Sequence, residues 1–269
     1  MTASEAGPGG WLGGDVAEGA TCVVADNPGP LTLDGTNTWL LAGPESTTCL
    51  VIDPGPDDPG HLQSVMATAA ERGWAVDTVL VTHGHTDHVQ GSERLAALSG
   101  ATVRSLDPAH CRGAVALLDG ESIEVAGLIV DVVSTPGHTA DSVSFLVASR
   151  GVLLTGDTVL GRGTSFVAHP DGRLADYLAS LERLAALVDQ DPVMALPGHG
   201  PVVPDAAAVI AQYRAHRLER LAQVRRARAA GAESVDDVLD AVYGAVSDDL
   251  RPAARASTVA QLAYLDEGG

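Results

Sequence analysis

One short stretch, Thr82-His83-Gly84-His85-Thr86-Asp87-His88, places three histidines and one aspartate within six residues. It overlaps the end of an apolar, β-branched run at residues 76–82 (VDTVLVT), which predicts a strand. A strand end holds the following loop rigidly, so that the four side chains can converge on neighbouring points. Imidazole and carboxylate groups at this density favour zinc, iron or manganese over calcium or magnesium. The stretch therefore predicts a metal site at the end of a strand.

The same pattern, a predicted strand followed by a turn and one ligand-type residue, recurs three times. His138 ends Thr-Pro-Gly-His after the run 128–133 (LIVDVV), and Asp157 ends Thr-Gly-Asp after the run 152–155. His199 follows Leu-Pro-Gly after the run 193–196. Any one of these alone is more often an ordinary turn residue. Their recurrence at strand ends, with predicted helices at 62–72, 92–98 and 174–188, indicates layered α/β structure around one metal cluster.

The motifs H-G-H-T-D-H, T-P-G-H-T, G-D and P-G-H-G, in this order, resemble those of the metallo-β-lactamase superfamily over residues 20–204. The resemblance implies a four-layer αββα sandwich with two metal ions at one edge, most simply zinc, with manganese or iron as alternatives. It also implies the ligands: a first metal held by His83, His85 and His138, a second held by Asp87, His88 and His199, and Asp157 bridging the two.

A further aspartate, Asp53 in Val-Ile-Asp-Pro-Gly, matches an early aspartate of the superfamily that orients a ligand imidazole. A plain turn aspartate before proline is the alternative for Asp53. Two cations about 3.5 Å apart can bridge a water and lower its pKa toward neutrality. The resemblance therefore predicts a hydrolase in which a metal-bridging hydroxide attacks carbon or phosphorus, with Asp87 and Asp157 as its catalytic residues.

Two positions narrow the kind of hydrolase. Dedicated metallo-β-lactamases generally lack a bridging aspartate at the position of Asp157, and one major group has a cysteine ligand there. Flavodiiron oxygen reductases carry glutamate where this chain has His85. Both positions therefore favour a zinc hydrolase that is neither a resistance enzyme nor a redox enzyme.

A narrower resemblance concerns the segments Asn27–Thr38 (NPGPLTLDGTNT) and Gly156–Thr164, and the pattern Tyr-x-x-His-Arg-x-x-Arg at 213–220. They are similar to the β-lactamase-like protein 2 subgroup, which implies an endoribonuclease selective for single strands. Asn37 and Thr164 are then candidate contacts to the substrate or supports of the metal ligands. A turn cap is an equally good interpretation of Asn37.

Charge bears on the substrate in two opposite ways. Six of the 16 arginines fall between Arg214 and Arg228, which would suit phosphate contacts, whereas the formal net charge is -19 and aromatic residues are only 3%. Three classes stay open: hydrolysis of single-stranded RNA, hydrolysis of a small ester, thioester or lactam, and metal-dependent binding without turnover. The intact ligand set disfavours the third class.

The domain organisation predicted for the 269 residues has three parts. Residues 1–18 are a glycine-rich, loose leader, residues 19–205 are the catalytic domain, and residues 206–269 are a helical, winged-helix-like appendage with a truncated wing. Asp205 and Ser234 are the expected helix N-caps of the appendage, and Pro252 lies in the first turn of its last helix.

Cysteine usage and the lack of a targeting segment predict a reducing compartment. Cys22, Cys49 and Cys111 have no pairing pattern, and the first residues lack a basic region followed by an apolar stretch. No apolar run approaches the roughly 20 residues that span a bilayer. We therefore expect a cytoplasmic protein that does not contact membranes, and the oligomeric state stays open.

Overall fold

The structure is a computed structural model that describes residues 10–269. The strands are β1 (Gly14–Ala17), β2 (Ala20–Val24), β3 (Asn37–Leu41), β4 (Thr48–Ile52), β5 (Ala75–Leu80), β6 (Thr102–Arg104), β7 (Ser122–Val125), β8 (Leu128–Ser134), β9 (Val143–Val147), β10 (Val152–Gly156) and β11 (Met194–Pro197). The helices are α1 (Pro59–Glu71), α2 (Thr86–Val89), α3 (Ser92–Ser99), α4 (Leu174–Leu187), α5 (Ala206–Ala229), α6 (Val235–Tyr243) and α7 (Arg251–Asp266).

The strands form two mixed sheets packed face to face. One sheet has the order β1-β2-β3-β4-β5-β6 and the other the order β11-β10-β9-β8-β7. Side chains alternate along each strand: in β3, Trp39 and Leu41 enter the core between the sheets, whereas Leu40 packs under α1 and α3. In β10, Leu154 faces the same inner core and Leu153 faces α4 and α5. The predicted αββα sandwich is confirmed.

Strand direction brings the ligand-bearing loops to one edge of the sandwich. Strands β4 and β5 run parallel, and so do β10 and β11. Strand β8 is antiparallel to β9, which is antiparallel to β10, so that β8 and β10 point the same way. The carboxyl ends of these strands lead directly into the loops with Asp53, His83, His138, Asp157 and His199.

Most predicted elements are present, with shifts at their ends. The helix predicted from residue 62 begins at Pro59, because Asp58 caps it by accepting a hydrogen bond from the backbone N–H of His61 at 2.7 Å, and proline suits the first helical position. Asp205 caps α5, accepting from Ala208 N at 2.9 Å, and Ser234 forms a capping box with Asp237. Local cap chemistry therefore sets these helix ends.

Part of the predicted leader is paired within the fold. Residues 14–17 form β1, the edge strand that pairs with β2. The Trp11 ring lies 6.5 Å from the ring of Trp39, and its Nε1 donates to Asn37 Oδ1 at 2.8 Å. Residues 1–9 of the leader lie outside the described part of the chain.

The C-terminal helices share a core with the two-sheet sandwich. Residues 206–269, all of them described, contain three helices and no strand. Ile210, Tyr213 and Leu221 of α5 pack with Tyr177 and Leu181 of α4 against the outer face of the five-stranded sheet. The helical appendage thus thickens the outer helical layer on that side. Within residues 10–269, no helix combines the length and apolar character needed to cross a membrane.

Candidate metal centre

The seven predicted ligand side chains lie together as two adjacent groups. Within each group the potential ligand atoms are all within 4.8 Å of one another. In the first group, Nδ1 of His85 lies 3.0 Å from Nε2 of His83 and 3.1 Å from Nε2 of His138. In the second, Nε2 of His88 lies 3.3 Å from Nε2 of His199. The first group comprises His83, His85, His138 and Asp157, and the second comprises Asp87, His88 and His199.

Asp157 contacts both groups. Its Oδ2 lies 3.7 Å from Nε2 of His138 in the first group and 3.4 Å from Nε2 of His199 in the second. Its Oδ1 lies 3.6 Å from Nε2 of His88 and, although it is buried, has no hydrogen-bond partner in the described part of the chain. A buried carboxylate oxygen without a donor is costly unless a cation neutralises it. Asp157 therefore occupies the position that a bridging ligand requires.

Oxygen atoms behind the imidazoles determine where their protons lie. Nδ1 of His138 donates to Phe166 O at 2.8 Å, and Nδ1 of His199 donates to Gly35 O at 3.1 Å. Nδ1 of His88 lies 2.8 Å from Asp53 Oδ2. Since a carbonyl or carboxylate only accepts, each of these three rings carries a proton on Nδ1, and Nε2 is the nitrogen that faces the centre.

Thr82 determines the position of the proton on the His83 ring in the same way. The Thr82 hydroxyl donates to Asp53 Oδ2 at 2.7 Å, and its oxygen lies 3.0 Å from Nδ1 of His83. A hydroxyl has one proton, so that Thr82 must accept from the His83 ring. Asp53 also accepts from Thr82 N at 2.7 Å and is buried in a left-handed conformation, φ 52°. Asp53 thus joins the ends of β4 and β5 and orients His88 directly and His83 through Thr82.

Asn37 supports the loop that carries His199. It is fully buried, and its amide donates to Pro197 O at 2.9 Å and to Gly200 O at 2.8 Å. Its amide oxygen accepts from Trp11 Nε1 at 2.8 Å and from Cys22 Sγ at 3.4 Å. Because these bonds use the whole side chain, Asn37 has no group left for a substrate. Of the two predicted roles, the geometry favours support of the ligand loop.

Two supporting contacts escaped the sequence analysis. The hydroxyl of Thr36 donates to Oδ2 of Asp87 at 3.0 Å across 51 residues of chain. Asn27 holds Thr36 in place, since its Oδ1 accepts from Thr36 N at 2.9 Å and its Nδ2 donates to the Thr36 hydroxyl at 3.0 Å. The G-T-N-T segment was singled out for Asn37, and its first threonine contacts the site. The carbonyl of Phe166 is the other contact, and a backbone group leaves no residue-type signal.

The protein surroundings shift the proton affinities of the centre strongly. Burial, together with the neighbouring His88, lowers the pKa of His83 well below its ordinary value. Burial also opposes charge on His199, but the carboxylates of Asp157 and Asp87 outweigh it and raise the pKa of His199 to about 11. Burial alone would raise the pKa of Asp157, yet the charges of His199 and His88 lower it well below its usual range. The second group therefore holds a cationic charge between carboxylates even without a metal.

A mainly apolar cavity of about 290 Å³ opens beside His138 and Asp157. One wall comes from loops of the sandwich and the other from α6, α7 and the turn between them. Arg162 at its rim pairs with Asp34, which joins the two loops of the sandwich wall. Thr164, a predicted substrate contact, also lines this cavity. The apolar lining residues are Pro30, Leu31, Leu33, Leu160, Phe166, Val246, Leu250, Ala253 and Ala254.

Comparison with known proteins agrees with this architecture. An atrochrysone carboxyl ACP thioesterase of Aspergillus chevalieri is 32% identical over 240 residues, covering 85% of this chain and 74% of that protein. A β-lactamase-like protein 2 homologue of Caenorhabditis elegans is 28% identical over 211 residues, covering 76% and 69%. The crystal structure of a metallo-β-lactamase family protein of Thermus thermophilus superposes with a TM-score of 0.76 at 25% identity, covering 93% and 94%.

The family assignment follows from these matches and from the two groups at the sandwich edge. The model of the metallo-β-lactamase superfamily matches residues 31–199, which include every predicted ligand. The matched segment makes up more than half of the chain. The chain therefore belongs to the metallo-β-lactamase superfamily of hydrolases.

Proposed function

We propose that this chain is a metal-dependent hydrolase of a small ester or thioester with an apolar acyl group. Two divalent ions, zinc in the first instance, would be held by the first and second groups, with Asp157 between them. The observation that carries the proposal is the apolar cavity directly beside His138 and Asp157. It offers a place for a hydrocarbon next to the groups that perform hydrolysis.

The donor set fits metal ions. In the first group, Nε2 of His83 and Nε2 of His138 lie 3.0 Å and 3.1 Å from Nδ1 of His85, and burial, which lowers the pKa of both His83 and His138, leaves a lone pair on each Nε2. Nδ1 of His85 carries one proton at most and so can donate to only one of the two, whereas a cation among the three nitrogens would satisfy all of them. Imidazole nitrogens and carboxylate oxygens are the ligands that zinc prefers in catalytic sites. Oδ1 of Asp157, which is buried and has no hydrogen-bond donor within residues 10–269, would also gain a partner from a metal ion.

Bound divalent ions would polarise the scissile carbonyl and lower the pKa of a nucleophilic water. The chain's own residues orient that chemistry. Thr36 holds Oδ2 of Asp87, which leaves Oδ1 as the oxygen that can take a proton from the water. Although burial opposes it, the neighbouring His199 and His88 lower the pKa of both the Asp157 and the Asp87 carboxyl well below the usual range, so both are ionised at neutral pH and neither can act as an acid there. Geometry assigns the roles in this proposal: Asp87, whose Oδ2 is held by Thr36, is the proton acceptor through Oδ1, and Asp157, which lies between the two groups, is the fixed anion.

The cavity favours an acyl chain over a nucleotide. Burial of apolar surface stabilises a complex by about 25 cal/mol per Å², and the lining offers leucine, valine, alanine and phenylalanine side chains. Base stacking needs aromatic platforms, and only Phe166 and Tyr243 among the lining residues are aromatic. The similarity to an ACP thioesterase supports a thioester in particular.

The arginine-rich helix α5 offers few free cations for RNA. Arg214 pairs with Glu182 and Arg228 pairs with Asp266. Arg217 is buried, and Arg220 donates to Val242 O while stacking on Tyr243. Phosphate contacts require accessible positive charge, and here neighbouring groups of the same chain already use most of it. The ribonuclease hypothesis, which the similarity to a β-lactamase-like protein 2 homologue supports, is thus the second candidate.

One panel assay of the zinc-loaded protein separates the candidates. It compares N-acetylcysteamine thioesters from acetyl to dodecanoyl with a short oligoribonucleotide over a range of salt. We expect kcat/KM to rise with acyl length until the cavity is full. Cleavage of the oligoribonucleotide at low salt, weakening with a log–log salt slope of about -0.7 per phosphate contact, without thioester turnover, would establish the RNA hypothesis instead.

A variant tests the cavity itself. Ala253→Phe places a ring in the apolar wall of the cavity, so that KM for the longest thioesters should rise about tenfold while acetyl thioester turnover is retained. Ala229→Phe makes the same change at an exposed position at the end of α5 and serves as the matched control. Equal effects of the two variants on all chain lengths would remove the cavity from the proposal.

A further inference from the structure

Arg217 of α5 lies buried in an unusual environment. Only 4% of the residue is exposed, and its guanidinium carbon lies 4.9 Å from the centre of the Tyr177 ring. Arg214 and Arg228 of α5 form ion pairs with acidic residues, but Arg217 has no carboxylate within 4.0 Å among residues 10–269. Within the same residues its Nε has no hydrogen-bond partner. A buried cation without a counter-ion destabilises a fold, so stability does not explain why an arginine stands here.

Among residues 10–269, the guanidinium has one hydrogen bond, and it leads to the metal centre. Nη2 of Arg217 donates to the backbone carbonyl of Ser165. The next carbonyl, that of Phe166, accepts from Nδ1 of His138 at 2.8 Å, and the Phe166 ring lies edge-on to the His138 ring at 5.5 Å. The hydroxyl of Ser165 itself lies 3.4 Å from Nδ1 of His138. The peptide that Arg217 holds, between Ser165 and Phe166, is therefore directly adjacent to the one whose carbonyl accepts from His138.

Neighbouring tyrosines hold the other end of the same segment. Tyr177 donates from its hydroxyl to Thr158 O at 2.6 Å, and the Tyr213 hydroxyl accepts from Leu160 N at 3.0 Å. Arg217 stacks on Tyr177. The segment 157–166 begins with Asp157 and ends with Phe166. Tyr177 of α4 and Tyr213 of α5 thus hold its first half, and Arg217 of α5 holds its end.

We propose that Arg217 is a positioning residue of the metal centre. Its guanidinium fixes the backbone at Ser165 so that the Phe166 carbonyl keeps the proton of His138 on Nδ1 and the Nε2 lone pair directed at the first group. The C-terminal helices are then part of the hydrolytic machinery, and Arg217 is not a contact for nucleic acid. The inference rests on the proposed function in one respect, that His138 is a metal ligand.

The test compares Arg217→Met with Arg214→Met. Both remove one arginine of α5, but Arg214 is half-exposed and its polar partner within residues 10–269 is Glu182. Cobalt(II) alone is the probe, titrated into metal-free protein and followed by its visible absorption. We expect Arg217→Met to weaken binding at the first group roughly 10- to 100-fold, the range typical of lost support behind a ligand histidine. Its cobalt spectrum should change, while the unfolding midpoint of the metal-free protein stays close to that of the wild type.

A second readout needs no metal and no substrate. Two-bond ¹H–¹⁵N correlation spectra of the metal-free protein report which nitrogen of His138 carries the proton. The wild type and Arg214→Met should show the Nδ1–H form, and Arg217→Met should show a mixture of both forms. This result stands even if the protein hydrolyses no thioester, so that failure of the proposed function and failure of this inference are distinguishable.

Clear results would overturn the proposal. An unaltered His138 tautomer in Arg217→Met, with cobalt affinity within about threefold of the wild type, would do so. Equal weakening of both metal groups in proportion to a loss of stability would also do so. If Arg217→Met fails to fold, the same spectra of Arg217→Lys test the proposal, because lysine keeps the positive charge but lacks the planar guanidinium group. Mixed tautomers in a stable Arg217→Lys variant support the role, and an unaltered tautomer refutes it.

Discussion

Replacing Asp53 by asparagine tests how the centre sets its imidazole tautomers. The variant keeps the shape of the side chain but exchanges one carboxylate oxygen for an NH₂ group. In the wild type, Oδ2 of Asp53 accepts hydrogen bonds from the Thr82 hydroxyl and from Nδ1 of His88 at 2.7–2.8 Å. In one orientation of the asparagine, the NH₂ group takes the place of this oxygen and faces both donors. His88 must then move its proton to Nε2, which removes the lone pair from the second group.

The other orientation is no better. It places the NH₂ against the backbone N–H of Thr82, which donates to Oδ1 of Asp53 at 2.7 Å and cannot change its role. An unsatisfied buried donor costs about 1–3 kcal/mol. Both orientations therefore lead to a similar penalty. We expect metal affinity of the second group to fall roughly 10- to 100-fold, which corresponds to about 1.4–2.7 kcal/mol.

Competition with a chromogenic chelator measures this loss for each metal. Asp57→Asn is the matched control, because it removes the same charge from an exposed aspartate whose side chain pairs with Arg94 and lies away from both groups. It should leave both affinities unchanged. If Asp53→Asn binds two zinc ions within about threefold of the wild-type affinity, the tautomer argument is refuted.

Four further predictions use other features of the centre. Asp157→Ala should lower kcat/KM more than about 100-fold while circular dichroism shows a folded chain; near-normal turnover with two metals would contradict the bridging role. Because the pKa of His199 is raised to about 11, above its ordinary value, the metal-free protein carries the second proton of this imidazole at pH 7 and loses it only as pH rises toward 11. Zinc binding at pH 7 should therefore release this proton. Calorimetry in buffers of different ionisation enthalpy counts the protons released. Gly137→Ala should lower the free energy of unfolding, measured by chemical denaturation, by about 3 kcal/mol, because the new Cβ would lie 2.3 Å from the Tyr177 backbone at a residue with φ 135°. Gly73→Ala is the control: its φ of 73° is also positive, but its Cβ would meet open space, so the loss should be about 1 kcal/mol. Turnover of a chromogenic cephalosporin should stay below a kcat/KM of about 10⁴ M⁻¹s⁻¹.

The ligand-bearing strands were predictable because their signals are local. An apolar run that ends in a turn with a histidine or aspartate contains both the strand and the ligand within a short stretch of chain, as in β8 and His138. The long helix α5 was predictable for the same reason, since its cap Asp205 and the spacing of Ile210, Tyr213, Leu221 and Val224 on one face are local signals. The strand β1 has no such pattern, since Gly14–Ala17 is short and half-exposed at the sheet edge.

Contacts across the fold were not predictable from local patterns. Nothing near Thr36 indicates that its hydroxyl meets Asp87, and nothing near Arg217 indicates that its guanidinium meets Ser165. The arginine-rich stretch of α5 shows the same limit. Its charge is visible in the sequence, but its partners Glu182 and Asp266 belong to α4 and α7 and are brought close only when the helices pack.

The placement of the two groups across the sandwich also bears on how long the protein survives in a cell. Each group takes residues from loops of both sheets, His83 or His88 from one and His138 or His199 from the other. An ion bound in either group would thus connect the two sheets, and it would bind only the native state. At a free-ion concentration about 100 times its Kd, one ion adds about 2.7 kcal/mol to the free energy of unfolding. That makes exposure to proteases by global opening roughly 100-fold rarer. A shortage of metal ions would then shorten the lifetime of the protein as well as remove its activity, and the amount of the protein in the cell would follow the supply of metal.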